Sequence, residues 1–329
     1  MATPFLRALR IGHPDHHIAL LMRPGLDHIL AGLPYINHIE AADPRSITEI
    51  YRTAKHLKSH HYDTAILLPN SFRTAFIPFL ARIPNRIGYG RDGRSIFLSS
   101  AIPCPRPNGW KHPYPAVDYY LNLAVESNLI TEPLQNIDKR LQLECTAEDK
   151  TEAQNIFHKA SINPDQTKLA ILNPGGNRQD KRWPADRFIE LAEYLASKHN
   201  LTILINGSPA EKPLINSICD KLANDIPAHN LPSLGVSLKS LKYICNRSDI
   251  IITNDTGTRH IAVASAFDNP IPIRVVTLFG PTDPAWTTLN YSHETEITAG
   301  KSPAPITNIT LRQVINACDI LLNNNPPAN

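Results

Sequence analysis

The sequence predicts an α/β fold with parallel sheets, divided between two domains. Strand-like and helix-like segments alternate along most of the chain, and this order is typical of a parallel sheet with right-handed crossovers. Residues 250–252 form a short β-branched run of the kind that a strand buried on both faces requires. With 329 residues the chain exceeds the usual size of one domain, so we expect two hydrophobic cores.

In the first predicted domain, residues 1–145, the clearest local signal is a capping box. Ser46 and Glu49 have the spacing that starts a helix. A proline-rich loop is expected at 103–115. Helices are predicted at 3–10, 24–30, 46–58, 74–81 and 117–128, and strands at 17–22, 36–39, 62–68, 86–90 and 95–98.

The second predicted domain, residues 146–329, begins where a charged helical segment, 146–159, follows the first α/β pattern. Its final residues, 323–329, have the composition of a disordered tail. Strands are predicted at 168–173, 201–206, 250–252 and 274–279, and helices at 186–198, 215–222, 238–245, 261–266 and 311–322.

Composition excludes several classes of protein. A formal net charge of +3 is too small for a nucleic-acid-binding face, although it suits an anionic ligand. The five cysteines are scattered without CxxC pairs, so we expect neither a structural metal site nor a disulfide framework, and a reducing cytoplasm fits best. No apolar run approaches the ~20 residues of a transmembrane helix, and no signal-peptide pattern opens the chain.

Four predicted strands of the second domain end in polar or glycine-bearing turns, at 173–181, 207–211, 255–260 and 280–283. The carboxyl ends of parallel strands share one edge of a sheet, which is where α/β folds bind nucleotides. Thr256 and Gly257 would offer free backbone N–H groups to a diphosphate. The alternative is that Asp255 or Thr256 merely caps the helix. Neither GxxxxGK[ST] nor GxGxxG is present, which argues against a P-loop NTPase and a standard NAD enzyme.

Together these motifs resemble the family 9 glycosyltransferases of the GT-B class, the lipopolysaccharide heptosyltransferases. The resemblance extends to about residue 320, and its motifs are LPNSFR at 68–73, RIGY at 86–89, PGG at 174–176, KRWP at 181–184, NDTG at 254–257, His260, and LFGPTDP at 278–284. It implies two Rossmann-like domains with parallel sheets facing a cleft. It also implies an ADP-heptose donor held by the second domain, a lipid A–core acceptor met by the first, and inverting transfer without metal or cofactor.

For the diphosphate of the donor, the resemblance and the residue chemistry indicate Lys181 on the loop that contains Gly175 and Gly176. A lysine there can neutralise charge as ADP leaves, which is the electrostatic task of such a reaction. The absence of a Cβ at Gly257 would permit close approach by phosphate. The alternative for Lys181 is an ordinary solvated loop lysine.

For the sugar hydroxyls, the candidates are Asp255 and Glu211, because carboxylates are strong hydrogen-bond acceptors. Asp255 would meet the transferred sugar, and Glu211, by its family position, would meet the ribose. His260 would lie near the diphosphate or serve as a structural helix residue.

For the acceptor, the resemblance indicates Asn70, Ser71 and Arg73 in the corresponding loop of the first domain. Arg73, Arg86 and Arg91 would contact acidic sugars or phosphates. The alternative for these arginines is an ordinary solvated surface. Because the acceptor is amphiphilic, we expect peripheral contact with the inner face of the inner membrane and no nucleic-acid partner.

One departure from the family concerns the general base. The family begins with a strand and a Gly-Asp turn just before the segment that here starts at Met1, and the aspartate of that turn resembles the base that deprotonates the acceptor. We therefore expect a gap or exposed edge in the first sheet, and slow transfer unless the coding sequence begins upstream. Asp15, Asp63 and Asp92 qualify as substitutes only as acids of the right domain. The competing functions are a non-catalytic sugar-nucleotide binder and a GT-B enzyme of another kind, such as a sugar-nucleotide epimerase or a transferase with a different donor.

Overall fold

A computed structural model describes residues 1–105, 113–287 and 289–323. The chain divides into two compact units, unit 1 (Met1–Asp27 and Pro34–Lys139) and unit 2 (His28–Leu33 and Arg140–Asn329). The division falls between Lys139 and Arg140, whereas the predicted boundary follows Cys145. Part of the predicted proline-rich loop, 106–112, and residues 324–329 of the predicted tail lie outside the described residues.

The first part of the chain alternates strands and helices, as predicted. Its elements are α1 (Thr3–Gly12), β1 (Ala19–Met22), α2 (Asp27–Leu30), β2 (His38–Ala41), α3 (Ile47–Ser59), β3 (Thr64–Leu67), α4 (Phe72–Leu80), β4 (Asn85–Tyr89), β5 (Ser100–Ile102) and α5 (Ala116–Glu126). The predicted capping box is confirmed, because the Glu49 amide donates to Ser46 Oγ at 3.3 Å and the Ser46 amide donates to Glu49 Oε2 at 3.0 Å.

The strands of unit 1 form two separate parallel sheets. One pairs β1 with β2, and the other has the order β3-β4-β5. Among the described residues, β1 and β3 each pair along one edge only. The sequence predicts such a gap or exposed edge in the sheet of the first domain. These strands are also only partly covered, since β1 has no buried residue and β3 has only Leu67.

The predicted strand at 95–98 is wrong. Residues Arg94–Phe97 form a 3₁₀ turn, and the strand that joins the sheet is β5. The cause is the side chain of Arg94, which is completely buried and donates to the carbonyls of Pro69 and Tyr89 and to Asn70 Oδ1. This tertiary contact draws the chain inward and prevents an extended course.

Unit 2 is built on one six-stranded parallel sheet with the order β11-β10-β9-β6-β7-β8. Its elements are α6 (Ala147–Lys159), β6 (Leu169–Asn173), α7 (Ala185–His199), β7 (Thr202–Ile205), α8 (Lys212–Cys219), β8 (Ala228–Asn230), α9 (Leu231–Leu234), α10 (Leu238–Arg247), β9 (Ile250–Asn254), α11 (Gly257–Ser265), β10 (Arg274–Phe279), β11 (Glu294–Thr298) and α12 (Leu311–Asn323). The sequence did not predict the two edge strands, β8 and β11.

The core of unit 2 lies on both faces of this sheet. Every residue of β6 and of β9 is buried, as their apolar composition predicts. Trp183 packs edge-on against Phe188 of α7, with 5.0 Å between the ring centres. A buried ion pair joins α10 to α6, where Lys242 Nζ lies 2.7 Å from Asp149 Oδ2. Across the described ranges, no helix combines the length and the apolar character needed to cross a bilayer.

Candidate functional site

The candidate site is the carboxyl edge of the unit 2 sheet. Strands β10, β9, β6 and β7 are neighbours in that order, and every pair is parallel. The four turns that follow them therefore emerge along the same edge. This confirms the predicted convergence of the loops at 173–181, 207–211, 255–260 and 280–283, and it places a polar surface above an apolar sheet.

Lys181 and Asp255 form the charged centre of this edge. Lys181 Nζ donates to Asp255 Oδ2 at 3.0 Å, although 74 positions separate the two residues in the chain. Their side chains are only 17% and 11% exposed. Lys181 is thus held in place and is not a solvated loop lysine. A bound anion could share the ammonium group with Asp255, because lysine has three N–H donors.

The N-terminus of α11 adjoins this pair. Thr256 occupies the N-cap position, but its side chain makes no capping hydrogen bond. Its hydroxyl instead accepts from Asn173 Nδ2 at 3.2 Å. The capping alternative is therefore wrong for Thr256. Apart from its chain neighbours and the backbone of its own helix, no heavy atom of the described residues lies within 4 Å of the position that a Cβ would take at Gly257, so the first turn is open to close approach.

Glu211 ties the glycine loop to the turn after β7. Its Oε1 accepts from the Gly176 amide at 2.6 Å, and its Oε2 accepts from the Ser208 amide and hydroxyl, both at 2.8 Å. A Cβ added at Gly175 would lie 2.4 Å from the carboxylate atoms, so only glycine leaves room for them. This contact explains the glycine at 175.

The surroundings of Glu211 keep its carboxyl group ionised. Burial works to raise its pKa, but the hydrogen bonds from Ser208 and Gly176, with the charge of Arg182, outweigh burial and hold the pKa below the ordinary value. Because those donors already occupy both oxygens, little acceptor capacity is left for a ligand. Its role toward ribose stays a prediction.

Three asparagines hold the loops together, and none of them was a predicted site residue. Asn254 Nδ2 donates to the carbonyls of Pro174 and Gly175, each at 2.9 Å. Asn206 Nδ2 donates to Asn173 Oδ1 at 2.8 Å. The signal was present in the sequence, because three apolar strand runs end in asparagine. Amide side chains there both donate and accept, which lets them fix neighbouring loops.

Arg182 is a second cation that sequence reasoning did not assign. Its Nε and Nη2 donate to the Gly176 carbonyl at 2.8 and 2.7 Å, and it lies 3.8 Å from Glu211 Oε1. The next residue, Trp183, anchors the loop: its amide donates to Asn254 Oδ1 at 3.2 Å and its indole N–H to the Ile309 carbonyl at 2.8 Å.

His260 lies in the first turns of α11. Burial lowers the pKa of its ring to about 3, so the imidazole is neutral at pH 7. In the absence of a ligand it therefore adds no positive charge to this edge of the sheet. Its predicted position near the diphosphate stays a prediction.

The predicted acceptor residues of unit 1 all have partners within the unit. Asn70 Nδ2 donates to Tyr119 OH at 2.8 Å, and Ser71 Oγ caps α4 by accepting from the Thr74 amide at 3.3 Å. Arg73 lies 3.2 Å from Asp43 Oδ1.

The other two arginines also have partners within unit 1. Arg86 donates to the carbonyls of Phe97 and Pro84 at 2.6 and 3.0 Å, and Arg91 lies 3.1 Å from Asp92. The acceptor role of these five residues stays a prediction.

The structure does not single out a general base among the three aspartates considered. Asp15, Asp63 and Asp92 are all exposed. Asp92 is already paired with Arg91.

Comparison with known proteins identifies the family. The model of glycosyltransferase family 9 (heptosyltransferase) matches residues 50–309. Lipooligosaccharide heptosyltransferase 2 of Haemophilus influenzae is 29% identical over 296 residues, which is 87% of this chain and 81% of that protein. The Haemophilus ducreyi protein of the same name is 31% identical, over 73% of this chain and 67% of that protein.

Solved structures agree on the fold. The structure of Escherichia coli ADP-heptose lps heptosyltransferase II superposes with a TM-score of 0.81 and 23% sequence identity, covering 98% of this chain and 94% of that one. The fold class predicted from the sequence, a two-domain Rossmann-like GT-B architecture, is confirmed. The chain therefore belongs to glycosyltransferase family 9, the heptosyltransferases, and is a glycosyltransferase.

Proposed function

We propose that this enzyme transfers heptose from ADP-heptose to the inner core of lipopolysaccharide, with inversion and without a metal ion or other cofactor. Family membership supports glycosyl transfer, and the relatives it resembles are named for heptose transfer. We further propose that residues 146–329 hold the donor and residues 1–145 meet the lipid A–core acceptor. The transfer reaction would take place in the cytoplasm, at the inner face of the inner membrane.

The observation that carries this proposal is the Lys181–Asp255 pair beside the uncapped first turn of α11. The diphosphate of the donor would accept from backbone amides of that turn and from Lys181 Nζ. As the bond to the sugar breaks, negative charge grows on the departing ADP, and a fixed ammonium group stabilises that charge. Asp255 would keep the ammonium aimed at the diphosphate and accept from a sugar hydroxyl with its second oxygen. Gly175 and Gly176, in the loop that also contains Lys181, would lie close to the donor.

Titration calorimetry with ADP tests this assignment. Lys181→Ala should weaken ADP binding by about tenfold to a hundredfold, the usual effect of losing one charge-assisted hydrogen bond. Lys198→Ala is the matched control, because Lys198 is an exposed lysine of α7 in the same unit. Equal ADP affinity for Lys181→Ala and wild type would refute the diphosphate role of Lys181.

A donor panel tests the transfer itself. Wild-type enzyme should release ADP from ADP-heptose when a truncated core acceptor is present, and should do so more slowly with other nucleotide sugars. Tight ADP-heptose binding without turnover would favour the non-catalytic binder. Turnover of a different sugar nucleotide would instead identify another GT-B enzyme.

A further inference from the structure

The outer face of α4 and the turn after β4 carry a cluster of apolar side chains. Phe72, Phe76 and Phe79 occupy positions i, i+4 and i+7 of α4, so they lie along one face of the helix. Phe97 packs on all three, with ring centres 4.8, 5.2 and 5.1 Å away, respectively. We call these four residues, together with Ile96, the aromatic patch.

This patch faces solvent, although its rings are packed on one another. Phe72 is 50% exposed, Phe79 is 42% exposed, and Ile96 is 74% exposed. Ala75 and Ile77 on the same helix are buried, so α4 already has a core-facing side. Single exposed apolar residues need no explanation, whereas a contiguous and preorganised group of them marks an interaction surface.

Two arginines carry the positive charge beside the patch. Residues 72–97 contain five arginines, but Arg73 is paired with Asp43, Arg91 is paired with Asp92 and Arg94 is completely buried, which leaves Arg82 and Arg86. The Arg86 guanidinium lies 5.7 Å from the ring centre of Phe79, and its hydrogen bonds go to neutral carbonyls. Arg82 is exposed just after the end of α4. Hydrogen bonds to carbonyl groups do not cancel a positive charge, so the patch is bordered by net positive charge.

We propose that the aromatic patch and its arginines dock on the surface of an anionic lipid bilayer. Aromatic and aliphatic side chains enter the interfacial layer, while guanidinium groups stay level with phosphate headgroups. A second copy of the chain suits the patch poorly, because two positive surfaces would face each other. The proposal deepens the proposed function, because it names the surface that would bring the enzyme to a lipid-borne acceptor.

Vesicle co-sedimentation of the full chain, with neither donor nor acceptor present, tests the proposal. The vesicles contain phosphatidylglycerol and phosphatidylethanolamine in equal parts, and vesicles of phosphatidylcholine alone serve for comparison. Phe72→Ser combined with Ile96→Ser should weaken binding to the anionic vesicles by about tenfold, because apolar surface no longer enters the interface. Ile11→Ser is the matched control, since Ile11 in α1 of the same unit is also 74% exposed.

The charge of the surface has its own test. Arg82→Gln should weaken binding to the anionic vesicles by about fivefold, the factor for one basic side chain near such a surface, and should leave any binding to phosphatidylcholine unchanged. Raising the salt concentration to about 1 M should weaken wild-type binding as well. Thermal unfolding of each variant verifies that it is folded.

Two results would overturn the proposal. One is that the wild-type protein does not bind the anionic vesicles. If, in that case, Phe72→Ser combined with Ile96→Ser abolishes self-association, a second copy of the chain is the occupant of the patch. The other is equal loss of binding in Ile11→Ser and in the patch variant. Because the vesicles contain no sugar nucleotide, failure of ADP-heptose turnover would refute the proposed function and leave this result intact.

Discussion

Replacing Gly175 with alanine should loosen the donor loop through a single contact. The added Cβ would lie 2.4 Å from Cδ and both oxygens of Glu211, which is closer than nonbonded atoms tolerate. The carboxylate must move and would lose the bond from the Gly176 amide, now 2.6 Å long. A hydrogen bond to a charged group contributes about 1.5–3 kcal/mol. We expect the free energy of unfolding to fall by about 2 kcal/mol, which lowers Tm by about 4–8 °C.

Thermal and denaturant unfolding of the wild type and four variants would measure this effect. Gly176→Ala is the matched control, since a Cβ there would meet its nearest neighbour at 3.6 Å, an ordinary contact distance. In a Glu211→Ala background the carboxylate is gone, so adding Gly175→Ala should cost less than about 0.5 kcal/mol. An equal cost of Gly175→Ala with and without Glu211 would show that the clash with this side chain is not the cause.

Three further predictions concern unit 2. Gly257→Ala should leave Tm unchanged, because the site of the new methyl group is open, yet calorimetry should show weaker ADP binding; normal ADP affinity would contradict the role of this turn. Lys242→Met should lower the free energy of unfolding in urea by about 3–5 kcal/mol, because it leaves Asp149 buried without its cation. Adding Asp149→Asn should restore part of that free energy. No recovery would argue against a stabilising role of the ion pair. The pKa of Glu211 is lowered in the folded state, so the stabilisation that its ionised carboxylate contributes is present above pH 4.5 and is lost as the pH falls through the folded-state pKa. The Tm difference between wild type and Glu211→Gln should therefore shrink in acid. A difference that stays constant with pH would contradict this.

Local signals in the sequence predicted most elements of the fold. The capping box at Ser46 and Glu49 gave the start of α3, and β10 was predicted with the bounds that it has, Arg274–Phe279. These signals depend only on neighbouring residues. They succeed where the local preference and the tertiary environment agree.

Tertiary contacts account for the elements that the sequence did not predict. β11 has two glutamates, and Glu294 is nearly completely buried because Arg259 and Thr277 donate to it. Two glutamates in a five-residue strand give it the composition of a loop, so apolar alternation cannot reveal it. β8 has only three residues, Ala228–Asn230, which is too short for any periodic pattern.

The candidate site, like the fold, could be predicted from the sequence only in part. Sheet topology made the convergence of the four loops predictable, and Lys181 and Asp255 were named as candidates from their loops. Their direct contact was not predictable, because it joins positions 74 residues apart. Arg182 illustrates the same limit, since only the path of the loop turns its guanidinium toward the Gly176 carbonyl.

The interruption of the unit 1 sheet has a consequence for where the protein can open. Strand β9 lies between β10 and β6, and all of its residues are buried. Its amide protons can exchange with solvent only after it separates from those neighbours and its side chains become exposed. In β1 one edge has no strand partner among the described residues, and no side chain is buried. Local opening should therefore need far less free energy in β1 than in β9. Hydrogen exchange should therefore be faster in β1 than in β9, the strand whose carboxyl end leads into the proposed donor site.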